Sequence, residues 1–284
     1  MSGSAGGSTN GWPLPLAFVA AEVRTALAPA LGADAALAVL RRALPELPVT
    51  GRAQRNSVAL TSAGPQLNSE QVWRLLDRKS STSLSVGPTT VALETTHYPG
   101  VEAFIDLFGR AVATVAEIDT PAAVSRIGLR YVNEVWGPLS VASAADWAGV
   151  ISEDVLAGSS AALSALTAAE PVGSESTGET VRTVGFEAAY AAALPDRRAV
   201  SVRLQTLFGP GVVGSDPLRR AFTPATPGPF FVIDLDGSWP SEQAEAPEFS
   251  AKHAVATLRA LHAPIEALFL WATTDDYRKR VLPS

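Results

Sequence analysis

Residues 123–136 read AVSRIGLRYVNEVW, and they decide the fold class. Ile127, Leu129, Tyr131 and Val135 fall on odd positions, broken only by Asn133, while Arg126, Arg130 and Glu134 fall on even ones. A period of two sustained this long predicts a strand with one face in a core and the other carrying charge. Pro121 stands just before it and Gly137-Pro138 just after, so the strand is punctuated at both ends.

Immediately upstream, Val101, Phe104, Ile105, Phe108, Val112 and Val115 lie on one helical face between Pro99 and Pro121. Before that helix, Gly87-Pro88 turns Ser83 to Val86 into Thr89 to Thr96, a predicted hairpin, and Gln71 to Leu76 reads as another short strand. ADAALAVLRRAL, beginning at Ala33, has a helical period that Pro45 stops. Leu16 to Thr25 has strand length and alternates Val19, Ala21 and Val23 against Ala20, Glu22 and Arg24. Its alanines leave a helix as the competing reading.

Downstream, Ala144 to Leu156 predicts a helix with Trp147, Val150, Ile151 and Val155 on one side. Gly173 to Thr180 and Gly209 to Pro229 read as loops, and strands are expected at Val181 to Tyr190, Ala199 to Phe208 and Phe230 to Gly237. Ser250 is placed to cap a helix buried through Val255, Leu258, Leu261, His262, Ile265, Leu268 and Phe269, which Pro264 kinks or splits. A short helix over Thr274 to Val281 closes the chain. Hairpin-forming strands segregated from amphipathic helices give an α+β fold with antiparallel sheet, in two similar lobes: a disordered tail at 1–11, then 12–137 and 138–284.

The 284 residues carry 22 basic and 28 acidic side chains, a net charge of −6, and 47% hydrophobic residues, enough for a sizeable core. The acidic balance argues against non-specific coating of nucleic acid. With no cysteine, disulfides, thiolate metal sites and a cysteine nucleophile are excluded. Arginine supplies 19 of the 22 basic residues; with abundant Ala, Gly and Pro, this reads as the composition of a GC-rich bacterial genome. No basic start precedes an apolar run, and no stretch has the length of a membrane span, so a soluble cytoplasmic protein is expected.

Phosphate-loop, dinucleotide, zinc-protease and serine-elbow motifs are all absent. The candidates are polar residues at strand spacing. Arg126 and Arg130 share a face about 13 Å apart, with Gly128 leaving room for a close-approaching ligand or a neighbouring backbone. Their fork geometry suits an anion, and pairing with acids on adjacent strands is the structural alternative; Glu134 on the same strand is as far from Arg130 as Arg126 is. Asp234 and Asp236 share a face about 7 Å apart, a spacing for a divalent cation or an acid–base pair, although no third ligand is indicated. Arg203 and Gln205 occupy one face of the Ala199 to Phe208 strand and are candidates to pair with these acids or to extend the arginine face. His262 reads as a core histidine; His97 and His253 have no triad partner in sequence, and the six tryptophans are scattered singly.

These landmarks resemble a sporadically distributed family of bacterial proteins of unknown function, whose hallmark is a strand of the type R-I-G-L-R-Y-x-N. Here it is Arg126-Ile127-Gly128-Leu129-Arg130-Tyr131-Val132-Asn133. Tyr98 to Phe104, Ile233-Asp234-Leu235-Asp236, and the closing Leu261-His262, Phe269 and Thr274-Asp275 are similar to the family's other landmarks. The chain departs from that pattern in its alanine-rich N-terminal segment. The resemblance implies an accessory or regulatory role in a mobile or defence-type locus, with no activity and no cofactor to carry over.

The leading expectation is therefore a binding or interaction protein with a protein partner and no catalytic constellation. Two alternatives stay open. One is a binder of an anionic ligand or nucleic acid through the sheet face of Arg126, Arg130, Glu134, Arg203 and Gln205. The other is a metal-dependent hydrolase centred on Asp234 and Asp236.

Overall fold

Alternation in the sequence becomes a single sheet. The computed structural model describes residues 15–61, 64–136, 144–157, 187–194, 198–207, 217–220, 230–240 and 247–281. The elements are β1 (Leu16–Thr25), α1 (Asp34–Ala43), β2 (Val49–Thr61), β3 (Gly64–Leu76), β4 (Thr82–Val86), β5 (Thr90–Thr95), α2 (Val101–Ile118), β6 (Val124–Trp136), β7 (Glu187–Ala193), β8 (Ala199–Leu207), β9 (Phe230–Pro240), α3 (Ala251–Ala272) and α4 (Asp275–Val281). The nine strands form one antiparallel sheet in the order β2-β3-β4-β5-β1-β6-β9-β8-β7. The expected tail at 1–11, the loop Gly173 to Thr180 and most of Gly209 to Pro229 lie outside the described residues.

The strand order contains a regularity. β1 lies beside β5, the last strand before α2, and β4, β3 and β2 follow outward; β6 lies beside β9, the last strand before α3, with β8 and β7 following outward. The two series meet where β1 pairs with β6, so strands from both halves share one hydrogen-bonded sheet.

Among the described residues, helices cover one face of the sheet. Val19, Ala21 and Val23 of β1, Ile127, Leu129 and Tyr131 of β6, and Ile233 and Leu235 of β9 point into the same buried cluster as Phe104, Phe108 and Val112 of α2 and Leu258, Leu261 and Ile265 of α3. Asn133 interrupts the apolar series of β6 but is itself buried, its Nδ2 donating to the Ile233 carbonyl at 3.3 Å. The β reading of Leu16 to Thr25 prevails over the helical one because its apolar alternate positions match those of β5 and β6 on both sides.

Three expectations are corrected. Ala144 to Leu156 is not one helix: a 3-10 turn (Ala144–Trp147) is followed by Gly149 at φ +80°, a left-handed conformation that ends the helical path, and a helical turn resumes at 153–157. Trp147, Val150, Ile151 and Val155 are still buried, but by compact turns. Secondly, the strand expected at Gln71 to Leu76 is the end of a 13-residue strand paired along its length with β2, whose polar GRAQRNS carries no apolar alternation. Thirdly, Pro264 does not split the last long helix, which runs unbroken from Ala251 to Ala272 behind a Ser250 cap that accepts from the His253 amide. The carbonyl that a residue-264 amide would have bonded, that of Ala260, accepts instead from Arg198 at 2.8 Å.

Candidate functional site

The face of the sheet away from the helices carries the charge. At one end it is closed by a small apolar cluster of Phe18, Val132, Leu218, Phe230 and Val232. Residues 217–220 cross this end, fastened by Arg219 to the Ser80 carbonyl and by Arg220 to Glu134. Glu134, singled out with Arg126 and Arg130 as a ligand-binding candidate, is thus buried against Arg220. Beyond the plug the face opens into a groove of about 590 Å³, floored by Ala20, Ala92 and Gly128 and walled by charged side chains.

Curling of the sheet makes the groove. Arg55 on β2 reaches Glu22 on β1 at 3.0 Å although β3, β4 and β5 lie between them. In a flat sheet those strands would be roughly 19 Å apart, beyond the combined reach of the two side chains. The sheet therefore bends toward its polar face, bringing β2 across to β1.

Glu22 is the hub. Its carboxylate accepts from Arg24 Nε at 3.1 Å, from Arg55 at 3.0 Å and from Arg126 at 3.0 Å. Burial pushes the Glu22 carboxyl up, yet the charges of Arg24, Arg55 and Arg126 outweigh that and hold it below the ordinary carboxylate range.

Arg126 also contacts both carboxylate oxygens of Asp236, at 3.1 and 3.2 Å, so its guanidinium bridges β1 and β9. It does so by lying over Gly128, where an added Cβ would sit 2.3 Å from its Nη1. The space left by Gly128 is thus filled by the chain's own guanidinium. Arg130 makes a two-pronged pair with Asp234, through Nε at 2.7 Å and Nη2 at 2.6 Å, and remains half exposed at the groove wall.

Two acids behave differently from Glu22. Burial raises Asp236; Arg126 and Arg130 oppose this, and the neighbouring Asp234 charge adds to it. Burial likewise raises Glu94, with Arg55 and Arg74 opposing and Glu22 reinforcing. Glu94 has one ion-pair contact among the described residues, to Arg55 at 3.9 Å.

Of the residues singled out from sequence, Arg126, Arg130, Asp234 and Asp236 come together, while Glu134 lies under the plug. Arg203 stands directly opposite Asp234 on β8, outside the groove lining. Gln205 is opposite Val232, and its side chain lies outside the described residues. Four groove residues were not singled out: Glu22, Arg24, Arg55 and Glu94. The alternation of β1 already put Glu22 and Arg24 on the polar face; nothing local links Arg55 or Glu94 to them.

As a metal site the two aspartates are poorly disposed, because guanidinium groups occupy their oxygens and would repel a cation. Among the described residues no group of three or more His, Asp or Glu side chains is gathered to hold an ion.

On the helical side, the Tyr131 hydroxyl lies 2.8 Å from that of Tyr98 and 3.3 Å from Nδ1 of His262, tying β6, the segment leading into α2, and α3 together. Among the described residues, no helix is long and apolar enough to cross a membrane. No protein-family model matches the chain, and it has no significant similarity to a curated protein.

Proposed function

We propose that this chain is a binding protein and that the charged groove holds a small ligand through an anionic group. One observation carries the reading: a single carboxylate, Glu22, is shared by three guanidiniums at the edge of an open groove, which leaves N–H donor capacity unspent there. Arg130, half exposed beside it, has further N–H groups to offer. Small molecules are favoured over nucleic acid, because a phosphate backbone demands a run of uncompensated positive charge and here acids alternate with the arginines. The R-I-G-L-R-Y-V-N strand supports grouping the chain with the bacterial family it resembles, since that strand supplies Arg126, Gly128 and Arg130 together. The repeated strand order supports reading 12–137 and 138–284 as two similar halves.

The test is a thermal-shift panel of carboxylates and phosphates on wild type and Arg130→Ala. At least one anion should raise the wild-type melting temperature, and Arg130→Ala should lose that response while its own stability falls by only about 1 kcal/mol, as for a partly exposed ion pair. A panel in which no anion stabilises wild type refutes the reading.

A second observation favours a protein partner. β7 ends the sheet, its central Tyr190 is exposed, and Tyr190 stacks edge-on against Trp271 of α3 with ring centroids 6.0 Å apart. A stoichiometric protein partner retained by wild type and lost by Trp271→Ala would favour that surface.

A further inference from the structure

Across β5, β1 and β6, Glu94, Ala20 and Arg130 are consecutive partners in the ladder and share the polar face. Two strand spacings, roughly 10 Å, separate an acid from a base with only an alanine methyl between them. One strand further out, Ser83 stands directly opposite Glu94. Its Oγ is buried without a hydrogen-bond partner, and the same holds for Ser85 Oγ and Arg74 Nε on the neighbouring ladder positions. Buried polar atoms left without partners cost on the order of 1–3 kcal/mol each, and leucine or valine would pack there without that cost.

The acids of the groove differ in how far they are satisfied. Glu22 and Asp236 are held by guanidinium hydrogen bonds, whereas Glu94 has only the 3.9 Å approach of Arg55. Arg24, Arg55, Arg126 and Arg130 line the groove with Glu22, Glu94 and Asp236, and Asp234 pairs with Arg130 just outside the lining, so the groove carries both signs rather than being uniformly basic.

We infer that the ligand is dipolar, an amino acid or short peptide, with its carboxylate on the Arg126–Arg130 side and its ammonium group on Glu94. This rests on the anion-binding reading above and adds the second pole to it. The ammonium would supply the hydrogen bonds that Glu94 lacks, with Ser83 behind Glu94 on β4 and outside the groove lining. Burial of Glu94 fits this role, since a buried carboxylate gains most from an arriving cation.

The experiment is calorimetric titration of the whole chain with a set of amino acids and dipeptides, each in three forms: free, N-acetylated (carboxylate only) and amidated (ammonium only). A free compound should bind about tenfold more tightly than its N-acetylated form, and Glu94→Gln should reduce that ratio to about twofold or less. A melting curve on Glu94→Gln checks that the fold is intact. If acetylated and free forms bind alike and Glu94→Gln changes neither, the anion site stands and the dipolar inference is overturned. If amidated compounds bind as well as free ones, both readings fall; if none of the three forms binds while another anion stabilises the protein, the anion site stands and the dipolar inference is overturned.

Discussion

At the scale of single residues, the two glutamates of the groove answer opposite demands. Glu22 has its folded pKa below the ordinary 4.5, so it adds stability above that pH and gives it up as pH falls through its folded value. Glu94 has its folded pKa above the same 4.5; its contribution is complete below that pH and is lost as pH rises through the folded value. Glu22→Gln should therefore destabilise the protein by about 2 kcal/mol near neutrality, less than for a wholly buried pair because its arginines are partly exposed. The deficit should shrink in acid. Glu94→Gln should be at least as stable as wild type near neutrality, with the gain disappearing in acid. Urea melts of the three proteins at about pH 4 and about pH 7 check both signs. Parallel pH dependence of the two variants would contradict this account. Gly128 shows how the same residue reads differently with and without tertiary contacts. Its missing side chain signalled close approach, but the approaching group is the Arg126 guanidinium two residues away.

Among the elements, legibility followed the strength of the local pattern. β6 and α2 could be read directly because each has one apolar face and proline or glycine at its ends. β2 could not, since an outer strand rich in Arg, Gln and Asn has no apolar alternation to reveal its pairing. α3 is instructive for its interruption. Pro264 deprives Ala260 of its helical hydrogen bond, and Arg198, just before β8, fills the carbonyl from outside the helix. Arg198→Ala should cost about 1 kcal/mol in wild type but less in a Pro264→Ala background, where the helix amide returns to Ala260. A double-mutant cycle by chemical denaturation measures the coupling, and additive effects would remove Arg198 from that role. The broken segment at Gly149 makes the complementary point: its apolar spacing correctly marked the residues to bury but overstated the regularity of the backbone that buries them.

For the molecule as a whole, the ladder from Arg126↔Pro240 to Trp136↔Phe230 joins β6 to β9, and β1 joins β6 to β5. Opening either half would strip the sheet face of the other, so calorimetry should show one transition with equal calorimetric and van't Hoff enthalpies. Two resolved transitions would mean that the halves are held more loosely than the shared sheet implies. The chain alone, through its periodicities and punctuation, already dictated the α+β class, most strands, the α2 and α3 helices, and the same-face pairs Arg126/Arg130 and Asp234/Asp236. Those are short-range properties, set by alternation of side chains along one strand or one helix. The shared hub at Glu22, the reach of Arg55 across three intervening strands, and the weakly paired pole at Glu94 came only with the folded sheet. They depend on strand order and on the sense of curling, and both arise from contacts between residues far apart in sequence.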